Sequence, residues 1–502
     1  MDRDKNLQRV SERSEPWDIV VIGGGATGAG CALDAASRGY SVLLLEQHDF
    51  GKGTSSRSTK LIHGGVRYLR QGDIPLVREA LRERGILLNN APHVAHTLDF
   101  IIPCYSIWEK FYYGVGMKIY DMLAGSRGIG RSKILNRGEV LERLRNLDPN
   151  GLTGGVVYQD GQFDDTRLLI DILRTAETKG AVVLNYSHVT SLTKDETGKI
   201  NGIEFQDAEN GHRRSVSAKA VINATGAFCP GVQKMSDANL ASAITYSQGV
   251  HLVFDRKFLP RETALMIPKT SDGRVLFGIP WNEHVLVGTT DTPVKTAELE
   301  PHALEAEIDF ILETASGYLA AKPTRDEILS VFAGIRPLVK AGVATKTSSL
   351  SRGHHVFIDG FGLITITGGK WTIYRRMAED AVNKAAEIAG LKQRDCITSD
   401  LPIEPPATLD EDERLHPDFP YTRSDIVRAI RDEMARTVED VLARRTRVLF
   451  VDAEAATELA PKVGELMAKE LGKDNVWVVD QVESFRSIAE NYMVAGESTR
   501  PS

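Results

Sequence analysis

Trp17-Asp18-Ile19-Val20-Val21-Ile22-Gly23-Gly24-Gly25-Ala26-Thr27-Gly28 is the stretch on which the fold turns. Its first six residues form a short apolar run, the pattern of a buried parallel strand. The next six fit the spacing G-x-G-x-x-G. Gly23 permits a tight turn, Gly25 lets the backbone approach a pyrophosphate, and Gly28 lets helix and strand pack closely. Residues 26–38 are rich in small side chains and read as a helix, and Ser41-Val42-Leu43-Leu44-Leu45-Glu46 reads as a second buried strand. The whole is a βαβ unit in about 30 residues. The glycine spacing alone is a weak sign. A strand before it, a helix after it and an acidic residue ending the next strand give the context of a dinucleotide site. Free N–H groups at the helix start favour phosphate, and Glu46 suits ribose hydroxyls. Gly23, Gly24, Gly25, Thr27, Gly28 and Glu46 are therefore candidate cofactor residues.

Further along, residues 51–72 are polar and glycine-bearing, and 73–90 and 164–179 read as helices. Ala181–Leu184 reads as a strand, 188–206 as a hairpin about Thr197-Gly198-Lys199, and 219–224 as a strand ending at Thr225-Gly226. Residues 250–293 are β-rich. Strands at 355–367 lead to Gly368-Gly369 and a helix from 371 to about 389. After the proline-bearing segment Leu401–Pro420, Ile426, Ile430, Met434, Val438 and Leu442 recur at four-residue spacing and mark a helical tail. Two features favour FAD over a nicotinamide cofactor. The strand end at Thr225-Gly226 is a second close backbone approach, and the late Gly368-Gly369 turn opens a helix whose N-terminus suits negative charge on a reduced flavin ring.

The 502 residues suggest about three domains. Hydrophobic residues make up 42% and charged residues 26%, with a net charge of −7. That balance argues against nucleic acid as a partner. The four cysteines are scattered with no C-x-x-C pair, so neither a disulfide framework nor a metal site is expected; Cys31 reads as a buried structural residue. Met1 to Pro16 has no apolar core of a signal peptide, and no run is long enough to span a membrane.

The run Thr54-Ser55-Ser56-Arg57-Ser58-Thr59-Lys60-Leu61-Ile62-His63-Gly64-Gly65-Val66-Arg67-Tyr68-Leu69 closely resembles the FAD-dependent, quinone-linked glycerol-3-phosphate dehydrogenases. Gly249-Val250-His251-Leu252-Val253, Gly334-Ile335-Arg336-Pro337-Leu338 and Gly368-Gly369-Lys370-Trp371-Thr372 match further, as does the tail Met434–Arg447. The resemblance implies an α/β fold with a discontinuous FAD-binding, Rossmann-like domain of the glutathione-reductase-2 or D-amino-acid-oxidase kind (17–92, 151–244 and 354–395). It implies a cap segment (93–150), a β-rich substrate domain (245–353) and an all-helical C-terminal domain (396–502). It also implies oxidation of sn-glycerol 3-phosphate at C2 to dihydroxyacetone phosphate, hydride transfer to flavin N5 and electrons passed to the quinone pool. The enzyme is then expected in the cytoplasm, peripheral on the inner face of the cell membrane, with a homodimer as the further expectation. An oxidase using oxygen and a flavoprotein without catalysis are the alternatives.

By the family pattern, Arg67, Arg336, Arg352 and Lys370 converge on the substrate, with Tyr68 lining the pocket. Arginine's planar fork suits a phosphate. His251 is the first candidate for the base, since imidazole works near neutral pH; Lys370 is the candidate for stabilising developing negative charge. Thr54, Ser55, Ser56, Lys60, His63, Gly64, Gly65, Val189, Thr225, Gly226, Gly368, Gly369 and Thr372 are placed along the cofactor. Asp291 reads either as a site residue or as a turn residue. The segment 104–124 mixes Trp108, Phe111, Tyr112, Tyr113 and Tyr120 with Lys110 and Lys118. It reads either as a membrane-surface helix or as packing for the substrate domain.

Overall fold

Trp17–Ile22 is the axis of the first sheet, and buried side chains run along almost its full length. It pairs in parallel with Val42–Leu45 on one side and with the second half of Arg213–Asn223 on the other. The computed structural model describes all residues except 71, 241–242, 340–352, 410–411 and 496–502, and for residues 67 and 70 the backbone alone. Across this sheet the order is His354–Ile358, Leu363–Gly368, Arg213–Asn223, Trp17–Ile22, Val42–Leu45 and Val182–Leu184. The inner pairs are all parallel, with only His354–Ile358 running against its neighbour. A hairpin, Ser187–Lys194 and Ile200–Asp207, extends from the outer half of Arg213–Asn223. The strand ends at Ile22, Leu45, Asn223 and Gly368 thus share one side, where open parallel sheets bind ligands.

The helix Ala26–Ser37 follows the glycine turn and packs on Tyr374–Ile388. Small residues allow this: a Cβ on Gly30 would sit 3.0 Å from the Tyr374 ring and 3.1 Å from Ala378.

The second sheet is mostly antiparallel and is centred on the long strand Ile244–Asp255, flanked by Ile328–Val339 and His284–Gly288. It continues through Leu276–Trp281, Thr263–Ile267, Ala95–Cys104 and Gly154–Phe163 to Leu61–Ile62. This corrects the expected boundary at residue 150. Gly154–Phe163 pairs along its whole length with Ala95–Cys104 and so belongs to the second sheet; the chain returns to the first layer only with the helix Asp165–Thr178.

The tail holds the helices Arg423–Glu433, Ala453–Leu471 and Asn475–Ala489. Ile426, Ile430, Met434, Val438 and Leu442 are all buried, but they do not share one helix. Met434 adopts φ 57° and ends the first helix, Val438 follows beyond that break, and a π-helical turn, Asp440–Arg445, carries Leu442. The polar N-terminus, read above only as lacking a signal, forms a helix Arg3–Glu12, pinned where buried Arg3 meets Asp207 at 2.8 Å.

Charges bolt the tail to the first layer. Asp49, fully buried just after the second strand, takes Arg444 Nε at 2.5 Å and Arg445 Nη2 at 2.9 Å. Burial alone would raise its carboxyl. The two guanidinium groups prevail and hold it at about 2. Removing one partner of such a pair strands the other charge in the interior. Asp49→Ala is therefore expected to cost roughly 3–5 kcal/mol, read as a lowered urea midpoint; an unchanged midpoint would show that the tail is held by apolar contacts alone.

Candidate active site

A cavity of about 880 Å³ lies between the two sheets, within the range of small-molecule and cofactor sites. At one end it is lined by Gly23, Gly25, Thr27 and Glu46, and at the other by His251, Arg336, Lys370 and Tyr68. Thr54, Ser55, His63, Val189, Thr225, Gly226, Gly368, Gly369 and Thr372 line the stretch between. Residues from Ile22 to Met377 thus face one space.

The glycine end is built for close approach. Gly23 has φ 109°, and a Cβ there would lie 2.8 Å from the Ala224 carbonyl oxygen. A Cβ on Gly28 would lie 1.8 Å from the Gly23 carbonyl oxygen, so the helix could not sit down on the turn. Gly25 caps the helix with no side chain of its own. Ser55 reaches in instead, its Oγ accepting from Ala26 N at 2.9 Å. Glu46 accepts from Gly24 N at 2.7 Å and from His48 N at 2.9 Å, which fixes its carboxylate at the strand end. Thr372 Oγ1 accepts from His63 N at 3.2 Å, and Trp371 Nε1 donates to Ser55 O at 2.9 Å. Open backbone amides at a helix start, a carboxylate beside them and a cleft leading away fit the ADP half and the ring half of FAD.

At the far end, Arg336 donates to Thr289 Oγ1 at 3.0 Å and to Thr290 O at 3.1 Å. Its guanidinium lies over Gly249, where a Cβ would come within 2.2 Å of it. The Lys370 ammonium sits 5.1 Å from the Tyr68 ring centre. His251 is 1% exposed and stacks on Phe332 at 4.9 Å. Burial, with Arg336 and Lys60 adding to it, pushes its imidazole well below the usual 6.5. It is neutral at pH 7, the form that accepts a proton.

Several of the expected residues stand off the cavity wall. Gly24, Gly28, Ser56, Lys60, Gly64 and Gly65 are not part of the cavity wall. Gly24 and Gly28 serve packing, and Gly64 is pressed against Leu81 and the Tyr120 hydroxyl. Gly65, at φ 81°, gives room to the Tyr68 ring. The Ser56 hydroxyl turns to Gly53 O, and the Lys60 ammonium is fully buried on Asp165 at 2.6 Å. Asp291 is buried and hydrogen-bonded by Ser247, a turn residue. Cys31 is buried, and its thiol is pushed far up by that burial. Arg352 and the side chain of Arg67, which belongs to the helix Val66–Arg70, lie outside the described residues. Thr59, Lys295 and Trp371 line the cavity without having been singled out; a hydroxyl inside an already polar run carries no signal of its own.

The two-layer fold and the glycine cradle define an FAD-dependent oxidoreductase. Residues 18–375 match the FAD dependent oxidoreductase family, and residues 370–476 match the C-terminal domain of alpha-glycerophosphate oxidase. The chain is 39% identical to the probable mitochondrial glycerol-3-phosphate dehydrogenase of Caenorhabditis elegans, over 97% of this chain and 75% of that one. It is equally similar, at 39%, to the mitochondrial glycerol-3-phosphate dehydrogenase of Homo sapiens, over 96% and 74%. The glycerol-3-phosphate dehydrogenase from Bacillus halodurans, solved with FAD, superposes with a TM-score of 0.77 at 27% identity over 97% of both chains. The chain belongs to the FAD-dependent glycerol-3-phosphate dehydrogenase family.

Gly28→Ala is expected to block cofactor loading, since the added Cβ must push helix and strand apart, an overpacking of about 1–3 kcal/mol or more. Flavin absorbance per mole of purified protein reads this directly. Gly116→Ala, where a Cβ meets nothing within 4 Å, is the control that should load normally.

Proposed function

We propose that the chain oxidises sn-glycerol 3-phosphate at C2 to dihydroxyacetone phosphate and passes the electrons to a quinone at a membrane surface. The observation that carries this reading is the gathering of Arg336, Lys370 and neutral His251 at one end of a cavity whose other end is the Gly23–Gly28 cradle. Bound FAD supplies the hydride acceptor. Arg336, held by Thr289 and Thr290, presents a fixed guanidinium for the phosphate. His251 is the base for the proton released as the carbonyl forms. The Lys370 ammonium offsets negative charge developing on the substrate oxygen.

Under anaerobic conditions, glycerol 3-phosphate should bleach the flavin while glycerol does not. No bleaching would end this reading, and stoichiometric peroxide at full turnover in air would make oxygen the acceptor. Arg336→Ala should raise the substrate KM roughly ten- to hundredfold, the value of lost charge-assisted hydrogen bonds; an unchanged KM removes Arg336 from the phosphate.

The membrane surface enters through the helix Ile107–Ala124. It buries Gly114, Met117 and Tyr120 and turns the opposite face outward. Trp108 is 80% exposed, Met122 72% and Phe111 64%, with Tyr112 and Ile134 beside them. Exposed Lys118, Arg131 and Lys133 share this region. Aromatic residues with cations around them suit the headgroup layer of an anionic bilayer. Among the described residues no helix is long and apolar enough to cross a membrane. The double substitution Trp108→Glu with Phe111→Glu should lower sedimentation with anionic vesicles at least tenfold and leave anaerobic flavin reduction intact. Undiminished sedimentation would place the contact elsewhere.

A further inference from the structure

We propose that Thr59 is a proton relay, standing between the C2 hydroxyl of the substrate and the imidazole of His251. The inference rests on the reading of the chain as a glycerol-3-phosphate dehydrogenase and names how its buried base is reached.

His251 meets the cavity wall but is almost wholly enclosed. Phe332 covers one side of its ring at 4.9 Å. Gly288 makes room for it, because a Cβ there would lie 2.3 Å from its Cδ2. Its Nδ1 is buried with no hydrogen-bond partner among the described residues. The remaining nitrogen, Nε2, lies 2.9 Å from the Thr59 hydroxyl. Thr59 is only half-buried and lines the cavity. A proton moving between cavity and imidazole therefore meets the threonine oxygen first.

The backbone around Thr59 is held from both sides. Ser58 bonds Asp165 through its N–H at 3.2 Å and its hydroxyl at 2.7 Å, and the Lys60 ammonium bonds the same carboxylate at 2.6 Å. Lys60 takes φ 61°, a left-handed turn that an ordinary side chain rarely adopts. Ser58 also lines the cavity, but its hydroxyl is turned to Asp165, so Thr59 is the residue of this triplet whose hydroxyl joins the cavity to His251. Such fixed placement is what a relay needs, since proton transfer demands hydrogen-bond distances on both sides.

The step balances as follows. With the imidazole neutral and its hydrogen on Nδ1, Nε2 accepts the Thr59 hydroxyl proton while Thr59 Oγ1 takes the proton of the substrate C2 hydroxyl. The C2–H bond breaks, its electron pair leaves as hydride to the FAD the family uses, and the C2–O bond becomes the carbonyl. Two exchangeable protons move, one from the substrate and one from Thr59.

The test is stopped-flow flavin reduction by glycerol 3-phosphate under anaerobic conditions. Thr59→Val keeps the shape and removes the hydroxyl; its reduction rate should fall by roughly 10²–10³, while the affinity for dihydroxyacetone phosphate, read from the flavin spectrum, stays within about threefold. Thr59→Ser should restore the rate to within about threefold of wild type. Combined with His251→Ala, Thr59→Val should add no further loss, as residues acting in one unit do. A Thr59→Val rate near wild type, or a Thr59→Ser rate as low as that of Thr59→Val, overturns the relay. The wild-type enzyme gives a measurement free of any folding defect. Its rate in mixtures of H2O and D2O should bow downward, as two protons in flight require, and a straight line overturns the proposal. A wild-type flavin that glycerol 3-phosphate does not bleach refutes the function instead, which keeps the two failures apart.

Discussion

The carboxylate of Asp165 is the point on which the site depends. It is fully buried at the start of the helix Asp165–Thr178, and three parts of the molecule meet on it. Ser58 and Lys60 reach it from the loop that lines the cavity, and Arg447 from the helical tail, its Nη2 3.3 Å away. The same Arg447 nitrogen donates to Ser56 O at 2.8 Å. Burial alone would raise this carboxyl, yet Lys60, Arg447 and the hydrogen bonds around it hold it below the usual range. It stays ionised and so holds Arg447 and Lys60 in place, although burial, with Arg447 adding to it, pulls the Lys60 ammonium down to about 7. The Lys60 ammonium is boxed further by Trp281 and Phe332 of the second sheet and Phe450 of the tail, each between 5.3 and 5.5 Å from it. An unpaired charge in this position would cost several kcal/mol. The neighbours are therefore obliged to assemble together or not at all.

This arrangement gives the C-terminal helices a part in the chemistry although none of their side chains faces the cavity. Arg447 fixes the backbone of the Thr54–His63 loop from behind. Arg444 and Arg445 fix the end of the second strand through Asp49. The first sheet, the second sheet and the tail are in this way one mechanical unit around the cavity. The helix Ile107–Ala124 is the exception: it packs by a narrow face and leaves its aromatic side to the outside.

Much of the fold is legible in the sequence. A buried strand, a glycine turn that only Gly can make and a helix of small residues leave little choice of architecture, and each could be read locally. The strand ends at Thr225 and Gly368 were also readable, because glycine after an apolar run marks a turn. Less legible were the features that depend on distant partners. The Gly154–Phe163 strand looks alike whichever sheet takes it, and pairing with Ala95–Cys104 decides. The break at Met434 is hidden because the buried spacing continues unbroken through it. The face presented by residues 107–124 was open to two readings, since an aromatic run reads the same packed or exposed.

The sequence by itself determined the dinucleotide cradle, the family and the set of polar residues from which the site is made, for these lie in short runs whose chemistry is local. Only the tertiary structure decided what each one does. Lys60 stands within the cofactor-like run, but its ammonium goes to Asp165, because a buried cation takes the nearest buried anion that folding offers. Thr59 is one hydroxyl among many in the sequence and becomes singular only where it meets Nε2 of a histidine 192 positions further on. Distance in space sets the energy of a hydrogen bond or an ion pair, and the order of residues along the chain does not contain it.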